Sequence, residues 1–410
     1  MHPGKENTKE DIVMVSAVRT PFGRFGGSLK DIDCYDLSAI AMREVLSRAS
    51  INGSCIDEVF WGVGDTSCCK DPYTPVVARQ ALIKAGLPPE IPSCSLDKAC
   101  VSAMSAVNYG CRTIRAGDGE VVLAGGATSF STIPFLLRNM RFQGKKMGHT
   151  ALEDPLVELG YKDFAPVAVD AGEVALAHGI GREEQDLWAC GSHKKYGEAH
   201  ALGKFKDEMM VLDLPQKKGE VRLLDIDEQY RAETTMEQLA KLKPIYGSPT
   251  CTAGNAPGLN DGAAALLIMK RKKAEDLKIK PLGTILGMVS IAAKPRLLAE
   301  GPAIAIGRLL SRAGMAIENV DLIEINEAFA AVTLTSAKML AGDDDTKYQK
   351  LLNMLNVNGG AIAAGHPNTA SGARIMMTLI YELRRRGGGT GVAAICGGLA
   401  QGDAALIRVD

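Results

Sequence analysis

The chain has 410 residues, 47 Lys+Arg against 48 Asp+Glu for a formal net charge of −1, and 46% hydrophobic residues with 44 glycines. That balance argues against a polyanion-coating surface and so against a nucleic-acid binder, while the hydrophobic and glycine content suits compact α/β structure. No run of 18 apolar residues is present, the opening Met1-His-Pro-Gly lacks a secretory signal, and Arg408-Val-Asp410 is no peroxisomal tripeptide. A cytoplasmic protein without membrane contact is expected. The ten cysteines show no repeated spacing and read as reduced thiols, and the adjacent Cys68-Cys69 has no CxxC partner, so no metal is expected.

In chain order, an apolar run over 12–18 predicts a strand. A helix follows that carries Met104, Val107, Cys111 and Ile114 and stops at Gly117, and then a strand over 121–124. Residues 129–249 have no counterpart elsewhere and read as an inserted subdomain. After them the chain repeats itself. Met14-Val-Ser-Ala-Val-Arg-Thr-Pro21 aligns on Met288-Val-Ser-Ile-Ala-Ala-Lys-Pro295, and Leu46-Ser-Arg-Ala49 with Asp57 aligns on Leu310-Ser-Arg-Ala313 with Asp321, at shifts of 274 and 264. Two ungapped matches in one order argue for two copies of one fold. The second copy has a strand over 322–325 and a helix carrying Ile375, Leu379 and Leu383 that ends in Arg384-Arg-Arg-Gly387, with a strand over 391–395 beyond it. The expected division is a first half from 1–128 with 250–282, the insert 129–249, and a second half 283–410. Two α/β halves in contact place strand ends and helix starts around one crevice.

Four boxes fall at such points. Cys100, in Ser95-Leu-Asp-Lys-Ala-Cys100-Val-Ser-Ala-Met104, follows a short strand and precedes a helix, where free N–H groups and the helix dipole favour thiolate. Taken alone it reads equally well as a packed cysteine at a helix start. Cys396 ends an apolar strand and enters Gly397-Gly398, and alone it reads as a strand-end core cysteine. His366 lies in Asn358-Gly-Gly-Ala-Ile-Ala-Ala-Gly-His366-Pro, where Pro367 keeps it out of helical geometry and its N–H could donate to a thioester oxygen; the bland reading is a hydrogen-bonded loop histidine. Asn326, in Asn326-Glu-Ala-Phe329, directly follows the strand 322–325.

These boxes, in this order on a duplicated scaffold, resemble the signature segments of thiolases over nearly the whole chain. The resemblance implies two stacked α/β halves in an α-β-α-β-α layered fold with an inserted loop subdomain covering CoA. It implies acyl transfer between CoA thioesters, with Cys100 as nucleophile and Cys396 as the acid/base at the α-carbon and the departing CoA sulfur. Asn326 would orient a water that completes an oxyanion hole with His366, and the backbone N–H groups of Cys100 and Gly398 would form a second. CoA and acyl-CoA are then substrates, no cofactor is needed, and a homodimer or homotetramer is expected. Among binding residues, Arg231 belongs to the loop over the nucleotide, Ala253 and Pro257 to the box Thr252-Ala-Gly-Asn-Ala-Pro257, Val167 stands where methionine is common near the acyl group, and Phe329 closes the Asn326 box. The chain departs from the family where asparagine, glycine and further glycines are usual, with Asp97, Ala103, Leu399 and Ala400, and Pro257 replaces a serine that touches pantetheine. A ketoacyl synthase would carry a second histidine at Asn326 and lack Cys396. A non-catalytic acyl-CoA-binding or complex-forming relative would have no need of intact Cys100, His366 and Cys396.

Overall fold

The computed structural model describes residues 8–64, 75–138, 140–142, 144–157, 160–215, 220–342 and 344–410; Cys68 and Cys69 lie outside them. The first half runs β1 (Ile12–Arg19), β2 (Gly23–Arg24), α1 (Cys34–Ala49), β3 (Glu58–Gly62), α2 (Val77–Lys84), β4 (Ser93–Leu96), α3 (Ser102–Ala116) and β5 (Val121–Thr128). An insert with α4 (Val167–Ala177), α5 (Arg182–Ala201), the hairpin β6 (Leu212–Pro215) and β7 (Val221–Leu224), and α6 (Met236–Ala240) precedes β8 (Asn260–Lys270) and α7 (Arg271–Asp276). The second half is β9 (Gly283–Ala292), α8 (Gly301–Ala313), β10 (Leu322–Ile325), α9 (Ala330–Ala341), α10 (Asp345–Met354), α11 (Ala361–Ala364), α12 (Ser371–Arg385), β11 (Gly389–Gly397) and β12 (Gln401–Val409).

The strands lie in the order β10, β11, β12, β9, β1, β8, β5, β3, β4, with β2 beside β8. The seam between halves is narrow, only Val13 with Thr284 and Met14 with Gly283 pairing across β1 and β9. Successive residues of a strand point to opposite faces. Val13, Leu123 and Leu267 therefore pack under α1 and α2, while Met14, Val122 and Ile268 face α3 and α12. In the second half Ile395 and Ile407 face the same two helices, whereas Val392 and Leu406 pack under α8, α9 and α10. Burial on both faces explains why these strands read as continuous apolar runs without polar alternation. The result is five layers, helix, sheet, helix, sheet, helix, as expected from the resemblance. The central pair α3 and α12 approaches closely because residue 372 is glycine: a Cβ there would stand 2.7 Å from the Met104 backbone nitrogen.

The internal repeat has a structural counterpart in detail. Asp57 Oδ2 accepts hydrogen bonds from the N–H groups of Glu120 and Val121 at the start of β5, and Asp321 Oδ2 accepts one from Thr390 at the start of β11. Helices α1 and α8 both end on the aligned tetrapeptide and turn through a left-handed cap, Ser50 at φ 53 and Gly314 at φ 66. The second half replaces β4 by a single parallel bridge between Ile323 and Leu355. No helix among the described residues is long and apolar enough to cross a membrane.

The insert differs from a bare loop subdomain. Its α4 and α5 are substantial helices whose apolar faces pack on the second half: Ala168, Ala171 and Val174 against Phe329 and Val332, and Tyr196 and Ala199 against Ala363 and Ala364. Its tie to the first half is apolar and ionic: Leu212, Leu214 and Leu224 of the β6–β7 hairpin join the core under α1 and α2. The buried Arg19 guanidinium holds Asp227 through two nitrogens at 2.7 and 2.9 Å and Glu208 at 2.9 Å, and Asp227 also accepts from the Phe22 N–H and the Tyr196 hydroxyl.

Candidate active site

Cys100 sits in a single 3-10 turn, Ala99–Val101, between β4 and α3. Asp97 Oδ1 accepts from the Ala99 N–H at 2.8 Å, and Ser102 Oγ accepts from the Lys98 N–H while donating to the Ala99 carbonyl. These bonds hold Ala99 in the left-handed region at φ 51. Farther out, Lys98 Nζ reaches Asp403 of β12 at 3.1 Å, and Ser105 Oγ donates to the same carboxylate, so the nucleophile's turn is bound to the opposite half.

His366 approaches from the other half, Nε2 at 3.3 Å from Cys100 Sγ. Its Nδ1 lies 2.6 Å from Ser371 Oγ, and that hydroxyl also lies 3.1 Å from the Pro367 carbonyl. A hydroxyl has one proton, which goes to the carbonyl, so Ser371 accepts from Nδ1–H and leaves the Nε2 lone pair facing the thiol. Burial, then the nearby Arg374 charge, lowers the His366 pKa to about 3, which keeps the resting imidazole neutral. The backbone is fixed as well: the His366 N–H donates to Asn260 Oδ1, and Gly365 at φ 103 leaves room for that amide.

One expectation is reversed. The helix start was to favour thiolate, yet enclosure of the sulfur pushes the Cys100 thiol up to about 12, and the Asp97 carboxylate adds to the rise over the lowering effect of a backbone hydrogen bond. Desolvation outweighs the helix dipole and disfavours the thiolate of the resting sulfur. Asp97→Asn keeps the acceptor for Ala99 and removes the charge. Alkylation of Cys100 by iodoacetamide at pH 8, read by intact mass, is then expected to speed up about 2- to 5-fold, since reactivity follows the thiolate fraction. An unchanged rate would show that the Asp97 charge does not reach the sulfur.

Asn326, fully buried after β10, lays its Nδ2 3.5 Å from both ring nitrogens of His366, a contact against the ring rather than a directed bond. Its Oδ1 accepts from Arg374 Nη2 at 3.2 Å, and Arg374 stands 3.6 Å from the buried Glu324, whose carboxyl burial pushes up to about 8. The neighbouring Glu327 escaped the sequence reading although it stands in the same box. Its carboxylate accepts from Trp188 and Ser192 of α5, from Asn356 and from the Ile362 N–H, tying insert and second half together behind the site.

Cys396 ends β11 opposite Gly402 and is 1% exposed. Burial, followed by the proximity of Cys100, raises its pKa well above the thiol range. Val167 and Phe329 belong to the apolar wall around it, with Ala168, Leu298 and Ala299. The loop beyond lies directly on the nucleophile's turn: a Cβ on Gly397 would stand 3.0 Å from the Lys98 carbonyl, and one on Gly398 would stand 3.3 Å from the Ala99 Cβ and collide with the Tyr161 hydroxyl. Leu399 and Ala400 then follow at φ 53 and 57. Both hold the left-handed conformation without being glycine, at a cost of roughly 1–2 kcal/mol each.

The structure thus brings Cys100, His366, Asn326, Cys396 and Gly398 to one place where the halves meet. Arg231 and Ala253 are elsewhere, lining a cavity of about 510 Å³ with His193, Gln229, Gln238 and Leu239. Pro257 follows Ala256 of that lining but is itself half-buried outside it.

A layered duplicated α/β fold that sets a histidine 3.3 Å from one cysteine, with a second cysteine close by, is the arrangement of an acyl-transfer enzyme of the thiolase type. Two family models match in succession, "Thiolase, N-terminal domain" over residues 12–272 and "Thiolase, C-terminal domain" over 279–409, and the chain belongs to the thiolase family. The acetyl-CoA acetyltransferase of Pseudomonas aeruginosa is 41% identical over 406 residues, covering 98% of this chain and all of that protein. Human mitochondrial 3-ketoacyl-CoA thiolase superposes with a TM-score of 0.91 at 37% identity, over 98% of this chain and all of that one. The structure of that human enzyme in complex with CoA gives 0.90 at 36% identity, over 98% of both chains. The chain is an acyltransferase of this family, and acyl transfer between CoA thioesters, the activity that the sequence resemblance implied, is the function that membership gives it.

Proposed function

We propose that the chain works in the cytoplasm by a ping-pong cycle through an acyl-Cys100 intermediate, with CoA and acyl-CoA as its substrates. The observation that carries this is the His366 Nε2 lone pair at 3.3 Å from Cys100 Sγ, with Ser371 setting the tautomer. The Cys100 proton passes to His366, the sulfur attacks a thioester carbonyl, and CoA leaves as a thiol with the proton of Cys396. In condensation the Cys396 thiolate then removes the α-proton of a second acyl-CoA, whose carbanion attacks acyl-Cys100 and expels its sulfur, which takes its proton back from His366. Thiolysis of a 3-oxoacyl-CoA is the reverse. His366, once protonated, and Asn326 through a bound water serve the first oxyanion; the N–H groups of Cys100 and Gly398 serve the acyl-enzyme carbonyl. The cavity with Arg231 and Ala253 suits a phosphorylated adenosine and the start of the pantetheine arm.

Specificity follows from Val167 and Pro257. Valine reaches less far than methionine at the wall around Cys396, which leaves room beyond an acetyl group. Proline in place of a serine hydroxyl weakens the hold on pantetheine by roughly 0.5–1.5 kcal/mol. Acetoacetyl-CoA is expected to react, and a somewhat longer or branched 3-oxoacyl-CoA at least as well. The test is kcat/KM for thiolysis along such a series, with acylation of Cys100 followed in parallel. A marked preference for acetoacetyl-CoA over every longer substrate would reject the open pocket, and no turnover of any of them would reject the cycle.

The same reading makes the protein a homodimer or homotetramer. Supporting it, β4 is a sheet-edge strand, and in the insert Phe142 and Met147 are 93% and 90% exposed. Light scattering at assay concentration is expected to give twice or four times the chain mass; an active monomer would sink the idea.

A further inference from the structure

Tyr161 lies in the insert, 61 residues beyond the nucleophile in sequence, yet its ring end rests on the loop after Cys396. A Cβ on Gly398 would meet its hydroxyl oxygen and lie 3.0 Å from its Cζ. The phenol is near enough to Cys100, Asp97 and Cys396 for negative charge on each to oppose its ionisation, in addition to the larger effect of burial. Among the described residues its hydroxyl has no hydrogen-bond partner. A half-buried phenol, unpartnered and pressed on a catalytic glycine, has a donor to spend on whatever occupies the space beside it.

We propose that Tyr161 is a further catalytic residue, its hydroxyl donating a hydrogen bond to the carbonyl oxygen of the acyl group carried on Cys100, beside the N–H groups of Cys100 and Gly398. The proposal rests on the reading of Cys100 as the acyl carrier. The phenol transfers no proton; it remains the donor throughout, and raised resistance to ionisation keeps it so over the working pH range. A methyl on residue 398 would displace the Tyr161 hydroxyl.

The test is Tyr161→Phe, which keeps the ring and removes only the donor. With acetoacetyl-CoA and CoA, kcat is expected to fall about 10- to 100-fold, less than the loss of a donor from a two-donor hole, with KM changed less than about threefold. The infrared carbonyl band of the enzyme acylated with ¹³C-labelled acetyl-CoA is expected to move to higher frequency in the variant, a change that a purely structural role would not cause. An unshifted band, a kcat within twofold of the parent, or a rise in KM alone would each overturn the proposal. If the parent enzyme itself neither acylates Cys100 nor turns over, it is the proposed cycle that fails. Should Tyr161→Phe melt at a lower temperature, Tyr161→Trp supplies a second comparison: its indole N–H can donate, so the band position in the trapped acyl-enzyme decides irrespective of rate.

Discussion

Cys100→Ala is expected to abolish acyl-enzyme formation and to lower thiolysis on the order of 10⁴-fold or more, because residues acting on one covalent intermediate fail as a unit. Cys396→Ala has a different signature. Cys100 Sγ still has His366 Nε2 at 3.3 Å to take its proton, so acylation by acetyl-CoA continues slowly. Exchange of the α-proton of acetyl-CoA with solvent deuterium is expected to stop, since the buried thiol at the end of β11 is the group assigned to carbon. Intact mass measured after incubation with acetyl-CoA separates the two variants. An acyl group found on Cys396 in the Cys100→Ala protein would exchange the roles.

Arg19→Met carries the largest expected loss of stability. The guanidinium, Glu208 and Asp227 are all inaccessible to solvent, and their pairing outweighs the burial that would otherwise lower the arginine's pKa. Removing the cation leaves two carboxylates buried and uncompensated, which costs about 3–5 kcal/mol. The urea midpoint is expected to fall accordingly and to recover in part when Asp227→Asn and Glu208→Gln are added. The function suffers too. Asp227 anchors the turn whose next residues bind Arg24 and Ser28 through Glu228 and line the proposed nucleotide cavity through Gln229 and Arg231, so KM for CoA is expected to rise more than kcat falls. A stability loss under 1 kcal/mol would show that water enters to solvate the carboxylates.

The elements legible in the sequence are those whose signals are local. The strand over 322–325 and the end of α3 at Gly117 follow from apolar spacing and a left-handed glycine, and they lie where those signals place them. The repeat was legible because the halves share turns with the same chemistry, the carboxylates of Asp57 and Asp321 each tying down the start of a later strand. The four boxes were legible at strand ends and helix starts, those of His366 and Cys396 as glycine-rich turns. What no local signal held is the chemistry between them. The protonation of Cys100 depends on enclosure by residues from both halves, and there desolvation overcame the helix dipole that the sequence alone could weigh. The His366 tautomer depends on Ser371, the first residue of α12, which reads in the sequence as an ordinary helix start. Tyr161, Glu327 and Arg19 meet their partners across separations of 29 to 237 residues, where spacing carries no information about contact. Composition and periodicity thus determined the layered α/β scaffold and marked its reactive turns, while packing of the two halves and the insert against one another decided which groups face, charge and orient each other, because desolvation and hydrogen-bond direction exist only once distant segments enclose the same space.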